Sequence, residues 1–187
     1  MRVFHFTIIL LVFVFAAGTF MYLNDTAAAS SAEQIDANVK IALEKLYAKS
    51  KAAETLGEKA KGILVFPSIT KGGFIVGGQY GKGALLIDGK TEGYYNTIQV
   101  SYGLQAGLQK YGYALFLMTD SAVKYIDKSG GWEIGVGPTI TIVDIGAAGS
   151  ATTTTLKSEI YAFFFDQKGL MAGIGLQGTK ISKISPK

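Results

Sequence analysis

Glycine and glutamine recur at every second position in three segments, and this spacing constrains the fold more than any other feature of the sequence. The segments are Gly77-x-Gln79-x-Gly81, Gly103-x-Gln105-x-Gly107-x-Gln109 and Gly173-x-Gly175-x-Gln177. Because successive side chains of a β-strand point to opposite faces, each segment presents one face of small and amide side chains. Glycine weakens a strand, so such a face needs compensation from close packing, strong curvature or a bound ligand. We favour close packing and curvature over a ligand groove.

The hydrophobic period changes at Gly62. Before it, apolar residues at three- and four-residue spacing predict a helix that begins at Ser30 or Ser31 and a second helix from about Ala52 to Lys61. After it, two-residue alternation predicts strands, with a short helix near Asp120 between them. The predicted strands are 63–66, 74–81, 84–88, 97–109, 113–118, 133–137, 139–145, 159–165 and 170–180.

This order of elements, helices first and then many strands, predicts an α+β fold. We expect N-terminal amphipathic helices packed on a strongly curved, mainly antiparallel, barrel-like β-sheet. Two interpretations of the first helix stay open, since it either lies on the sheet alone or also meets a membrane with its lysines. Trp132 likewise has two interpretations, and packing at the start of a strand is favoured over an exposed anchor.

The first 29 residues are predicted to be an export segment. Arg2 precedes an apolar run from Val3 to about Leu23, and small residues follow at 27–29, which is the order of a secretory signal peptide. A run of about 20 apolar residues also spans a bilayer, so an uncleaved signal anchor stays open. We expect the rest to be exported to the periplasm or cell envelope, either soluble or anchored by residues 3–23. Residues 30–187 are predicted to form one domain, with helices in 32–61 and a β-rich part in 62–181.

The sequence lacks the side chains that several kinds of catalysis require. The sequence has no cysteine, and its only histidine and only arginine, His5 and Arg2, lie in the export segment. The exported part therefore lacks the usual general base, thiol nucleophile, zinc ligand and guanidinium fork. The carboxylates are scattered, and none of them stand out as a pair. We predict no enzymatic activity, no metal site and no cofactor.

Two nucleotide-binding patterns fail in detail. In KGGFIVGGQYGKG, Gly83 follows Gly81-Lys82 where a Walker A loop needs a hydroxyl, and Val76 stands where that loop needs its first glycine. GIGLQG, at 173–178, matches G-x-G-x-x-G, but no acidic residue follows it in the sequence. We expect both to be glycine-spaced strands, with Lys71 and Lys82 bracketing the first of them at turns.

Four longer segments resemble the SYLF domain family. They are AKGILVFPSITKGGFIVGGQYGKG, SYGLQAGLQKYGYALFLMTD, GVGPT and EIYAFFFDQKGLMAGIGLQGTKI, and the resemblance covers about Ala32 to Ile181. One departure is Tyr94-Tyr95-Asn96, where many members carry tryptophan or another bulky residue just before the second motif. The resemblance implies a lipid-binding module, because eukaryotic members bind phosphoinositides with help from an N-terminal amphipathic helix, and some bind and bundle actin. With an export segment and no partner domain, this chain resembles a bacterial-type, stand-alone exported member.

Lysine supplies all the positive side-chain charge of the exported part, and the whole chain carries a formal net charge of +4. A mild lysine excess suits an anionic surface, although it also suits a merely solvated one. We expect a non-enzymatic module that binds anionic lipids or a membrane surface, with no nucleic acid partner. The alternative is a protein-interaction or structural module of the envelope, related to the actin-binding members. The candidate headgroup contacts are Lys40, Lys45, Lys49, Lys51, Lys59, Lys61, Lys71 and Lys82.

Overall fold

A computed structural model describes residues 31–73, 76–102, 107–128, 131–145, 158–169 and 176–187. These residues contain three helices and one sheet of eight strands. The helices are α1 (Ala32–Lys49), α2 (Lys51–Gly57) and α3 (Asp120–Ile126). The strands are β1 (Gly62–Gly73), β2 (Val76–Ile87), β3 (Lys90–Tyr102), β4 (Gly107–Leu117), β5 (Trp132–Glu133), β6 (Ile140–Val143), β7 (Ile160–Gly169) and β8 (Lys180–Ile184).

The sheet curls strongly into a half-barrel with the strand order β5-β8-β3-β2-β1-β4-β7-β6. Neighbouring strands are antiparallel except β6 and β7, which run parallel. The predicted α+β fold with a curved, mainly antiparallel sheet is therefore confirmed.

The two N-terminal helices lie on the outer face of this sheet. Ser31 caps α1 by accepting a hydrogen bond from the amide of Gln34, and Ser50 caps α2 in the same way. The apolar stripe of α1 is buried against outward side chains of the sheet, among them Val65, Phe116 and Phe163. Packing of this helix on the sheet, which both interpretations require, is confirmed and occupies its apolar stripe; membrane contact through its lysines stays a prediction.

A second apolar core fills the concave face of the half-barrel. It joins alternate residues of the central strands with α3, Trp132 and Ile181. Trp132 is 2% exposed, and its indole N–H donates to the backbone carbonyl of Val136. The interpretation of Trp132 as a packed residue is therefore confirmed.

The prediction that the first strand stops at Pro67 is wrong, since β1 continues to Gly73. The pairing of β1 with β2 shifts register between Val65 and Ser68, and its pairing with β4 shifts between Phe66 and Ile69. Proline has no amide hydrogen to donate to a ladder, and a bulge is the place where a central strand tolerates it.

Other predicted boundaries also moved. The predicted strand 97–109 is two strands, because β3 ends at Tyr102 and β4 begins at Gly107. The predicted strand 133–137 is a turn beyond Glu133, with Gly135 and Gly137 at positive φ. The export segment and residues 170–175 of the strand predicted at 170–180 lie outside the described residues, and 176–179 form a turn before β8 instead of a strand. None of the described helices is both long and apolar enough to cross a membrane.

Candidate functional site

The glycine and glutamine face predicted for the first two segments is the concave face of the half-barrel, whereas Gln177 of the third segment is exposed in a turn before β8. Gln79 and Gln109 point inward and are each 4% exposed. A Cβ atom added to Gly81 would overlap the side chain of Ile69, and one added to Gly83 would overlap the carbonyl oxygen of Val65. Close packing, the favoured explanation of this face, is confirmed for β2. Positions 103, 105, 173 and 175 lie outside the described residues.

Buried polar groups on this concave face bond to one another. The Tyr111 hydroxyl donates to Gln79 Oε1, and Gln79 Nε2 donates to Thr179 Oγ1. The Tyr113 hydroxyl donates to Thr97 Oγ1 at 2.7 Å. Burial raises the pKa of Tyr111 to about 12, which keeps it a neutral hydrogen-bond donor at physiological pH. These contacts hold the inner face together and show no activated nucleophile.

Six of the predicted lysines lie on or beside α1 and α2, and all six are exposed. They share residues 32–61 with five acidic side chains, so this surface is close to neutral. Lys49 Nζ is 2.8 Å from a carboxylate oxygen of Asp166, and this hydrogen bond lowers the pKa of Asp166. Lys51 pairs with Glu54. The headgroup contacts predicted for these six lysines stay a prediction.

The predicted turn positions of Lys71 and Lys82 are wrong. Both lysines lie within strands, Lys71 in β1 and Lys82 in β2. Lys71 shares the concave face with its cross-strand neighbours Gln79 and Gln109 and is 7% exposed, so its side chain does not fit contact with a flat lipid surface. Lys82 is half-buried and points outward, like Ala84 and Tyr80 on the same strand.

Beyond the helices, the outer face of β1 to β4 continues toward the ends of these strands without a covering element among the described residues. Strand pairing sets one outward row at Lys168, Lys110, Thr70, Tyr80, Ile98 and Lys180, and Glu133 of β5 continues this row beyond Lys180. The next row, nearer the strand ends, is Leu108, Gly72, Gly78 and Val100. We call these two rows, together with Val76 and Lys82, the distal outer face.

Apolar side chains on the distal outer face are open to solvent. The exposed fractions are Val76 57%, Tyr80 46%, Ile98 43%, Val100 59% and Leu108 61%. Tyr80 and Ile98 are direct cross-strand partners, and Val100 lies opposite Gly78. Contiguous apolar exposure of this kind marks an interaction surface.

The charge on this face is mainly positive. Lys82, Lys110, Lys168 and Lys180 point outward from it, and one carboxylate, Glu133 of β5, lies at its described edge directly opposite Lys180. No salt bridge among the described residues involves these four lysines. At the opposite edge, Asp166 in the β7 bulge pairs with Lys49, and Lys168 also contributes to its lowered pKa.

Comparison with known protein families gives one match for this chain. Residues 98–185 match the model of the Ysc84 family, described as Las17-binding protein actin regulator. This match is consistent with a member of the SYLF domain family. No curated protein matches the chain significantly.

The matched family suggests a binding module, and the described residues show no built catalytic or metal site. No group of three or more metal-ligating side chains gathers within the described ranges. Asp36 and Glu44 line one groove beside α1, but both carboxylate oxygens of Asp36 accept hydrogen bonds, from the Thr91 and Tyr94 hydroxyls. Those bonds attach α1 to β3.

Sequence reasoning missed three of the four lysines on the distal outer face. Lys110, Lys168 and Lys180 lie far apart in the sequence, and only the pairing of β3, β4, β7 and β8 brings them into one row. The sequence of β2 did contain a signal for the apolar part of this face. Val76 and Tyr80 alternate with the glycine and glutamine residues of that strand, so their side chains must point to the opposite side of the sheet.

Proposed function

We propose that this SYLF module binds anionic lipid surfaces at the cell envelope and has no catalytic activity. The observation that carries the proposal is the distal outer face, where four outward lysines surround exposed apolar side chains against a single carboxylate, Glu133, at its described edge. The near-neutral helical surface is a weaker candidate, since its lysines alternate with carboxylates.

The size of the electrostatic contribution follows from the number of lysines. A lysine near an anionic membrane contributes about 1 kcal/mol, so the four together contribute about 4 kcal/mol. That free energy corresponds to an affinity change of roughly 10³-fold. Exposed charges are screened by salt, so binding should weaken steeply as ionic strength rises.

Location at the envelope rests on the N-terminal segment. Its charged start, apolar run and small residues are those of an exported chain, whether the segment is cleaved after about residue 29 or kept as an anchor. On export, the module would meet anionic phospholipid headgroups rather than a cytosolic ligand.

The test compares two variants of the full chain that each lose four positive charges. In one variant Lys82, Lys110, Lys168 and Lys180 become glutamine, and in the control Lys40, Lys45, Lys59 and Lys61 do. None of these eight lysines forms a salt bridge with a described residue. Both variants have the same net charge and keep residues 3–23, so the apolar N-terminal segment contributes equally.

Co-sedimentation is measured with vesicles of phosphatidylcholine and with vesicles of an equal mixture of phosphatidylcholine and phosphatidylglycerol, over a series of salt concentrations. We expect the parent chain to prefer the anionic vesicles at low salt, the sheet variant to lose this preference, and the helix variant to keep most of it. Equal binding of the parent to both kinds of vesicle would overturn the proposal.

A protein partner is the second candidate, because the description of the matched family names binding to a protein, Las17, and regulation of actin. In this chain such a partner would be an acidic envelope protein. Capture of a defined partner that requires the four sheet lysines, together with no preference for anionic vesicles, would favour this candidate.

A further inference from the structure

The side chains of the distal outer face change from apolar to charged along the strands. Of its two rows, the one nearer the strand ends has only apolar residues and glycine, namely Leu108, Gly72, Gly78 and Val100, and Val76 lies still nearer the end of β2. The row behind it has Lys110 and Lys168 on one side and Lys180 on the other, with Glu133 beyond Lys180 on β5. Rows two residues apart along a strand are separated by about 7 Å.

This gradient matches the layers of a bilayer surface. Apolar side chains of a peripheral protein enter roughly 5–10 Å, to the boundary between headgroups and acyl chains. With Val100 and Leu108 at that depth, the lysine row about 7 Å behind lies at the level of the phosphates. Lysine also extends its charged end toward water and phosphate while its stem stays among apolar groups.

The helices stand clear of such a contact. They cover the outer face at the level of Val65 and Ala84, six residues along β2 from Gly78. At about 3.3 Å per residue, that level lies roughly 20 Å along β2 from the row that would enter the membrane. On β7 the last turn of α1 comes nearer, because Lys49 bonds to Asp166, two residues from Lys168. Ile41 is the one large apolar side chain of α1 that is exposed by half or more, at 50%.

We propose, as an extension of the proposed lipid binding, that the module docks on an anionic bilayer by its distal outer face. The row of Leu108 and Val100 inserts below the headgroups, the lysine row binds the phosphates, and α1 and α2 stay out of the bilayer. The apolar front favours a bilayer over a nucleic acid, whose phosphates would leave these side chains without a partner. The lysines that border it favour an anionic bilayer over a second copy of this chain, whose own distal outer face is equally positive.

The absence of cysteine from the sequence allows a direct test on the full chain. Val100→Cys and Leu108→Cys are each labelled with an environment-sensitive fluorophore, and Ile41→Cys on α1 is the matched control, because all three parent side chains are at least half exposed. The probe is a vesicle of equal phosphatidylcholine and phosphatidylglycerol, with and without a lipid that carries a quencher in its acyl chain. Sedimentation of the same samples reports binding independently.

We expect labels at 100 and 108 to shift to shorter emission wavelengths and to be quenched from within the bilayer, while the label at 41 does neither. Sedimentation with an equal or larger response at 41 would overturn the docking mode and leave lipid binding standing. No sedimentation with anionic vesicles would overturn both proposals.

A second measurement avoids labels. Val100→Ser with Leu108→Ser should weaken binding to the mixed vesicles by about 10- to 100-fold, because two apolar side chains lose their transfer from water. The control pair Ile41→Ser with Ile142→Ser removes two other exposed apolar side chains and should change binding less than threefold by the same reasoning. If the first pair instead converts a dimer to a monomer in sedimentation velocity without weakening vesicle binding, the face is a self-interface and the docking proposal is wrong.

Discussion

Replacing Gly83 by alanine tests whether the glycine face exists for close packing. Gly83 lies on β2 opposite the bulge at Phe66 and Pro67, between the paired positions 82 and 84. An added Cβ would overlap the carbonyl oxygen of Val65 and lie 2.8 Å from Cδ1 of Phe66, and a backbone atom in a central strand cannot move aside cheaply. Overpacking of this kind costs about 1–3 kcal/mol.

Gly78→Ala is the matched control on the same strand. There the nearest atom to an added Cβ is the carbonyl oxygen of Gln99, at 3.6 Å, which is ordinary contact. Alanine at such a position stabilises by about 0.4–1 kcal/mol, because it reduces the conformational freedom of the unfolded chain. The two variants should therefore differ by about 1.5–4 kcal/mol in the free energy of unfolding.

Urea unfolding followed by the fluorescence of Trp132 measures this difference. Trp132 is the only tryptophan and is 2% exposed, so its emission reports loss of the concave core. For a chain of this size, each kcal/mol also shifts the thermal midpoint by about 2–4 °C. If Gly83→Ala is as stable as Gly78→Ala, the glycine face is not closely packed, and a ligand that needs the open space becomes the better explanation of it.

Two further predictions concern polar contacts. Gln79→Leu should lower the free energy of unfolding by about 1–3 kcal/mol, because it leaves the buried Tyr111 hydroxyl without its acceptor. Gln109→Leu should lower it less, since Gln109 Oε1 has no partner among the described residues. Urea unfolding of the two variants measures the difference. Lys49→Met should raise the pKa of Asp166 toward its ordinary value in a carboxyl NMR titration. The Lys49 pair stabilises the fold only above the acidic range, so parent and variant should converge in stability as pH falls through the pKa of Asp166.

The helices were predictable because their signals are local. Ser31 and Ser50 cap the helices through residues three positions ahead, and a stripe at helical spacing is contained within one segment of sequence. The sheet was predictable as a class, since the two-residue alternation from Gly62 onward needs no knowledge of partners.

The wrong predictions concern positions whose structure depends on pairing with neighbouring strands. Pro67 breaks a strand by its own chemistry, yet β2 and β4 both shift register beside it and let β1 continue. That continuation places Lys71 inside the sheet instead of at a turn. The row of Lys168, Lys110 and Lys180 could not be predicted either, because pairings between distant segments create it.

The pairing of β3 with β8 has a consequence for how the chain reaches its fold. β1, β2 and β3 pair with one another through short connections. The edge of β3 that does not face β2 pairs only with residues 180–184, which come much later in the sequence. Contacts between segments this distant form slowly, because a long loop must close before they stabilise anything. Until then, β3 presents an unpaired edge that carries Tyr95 and Ile98, and such edges attract other strands. Nascent chains that stop before β8 should therefore be the ones that aggregate and bind chaperones.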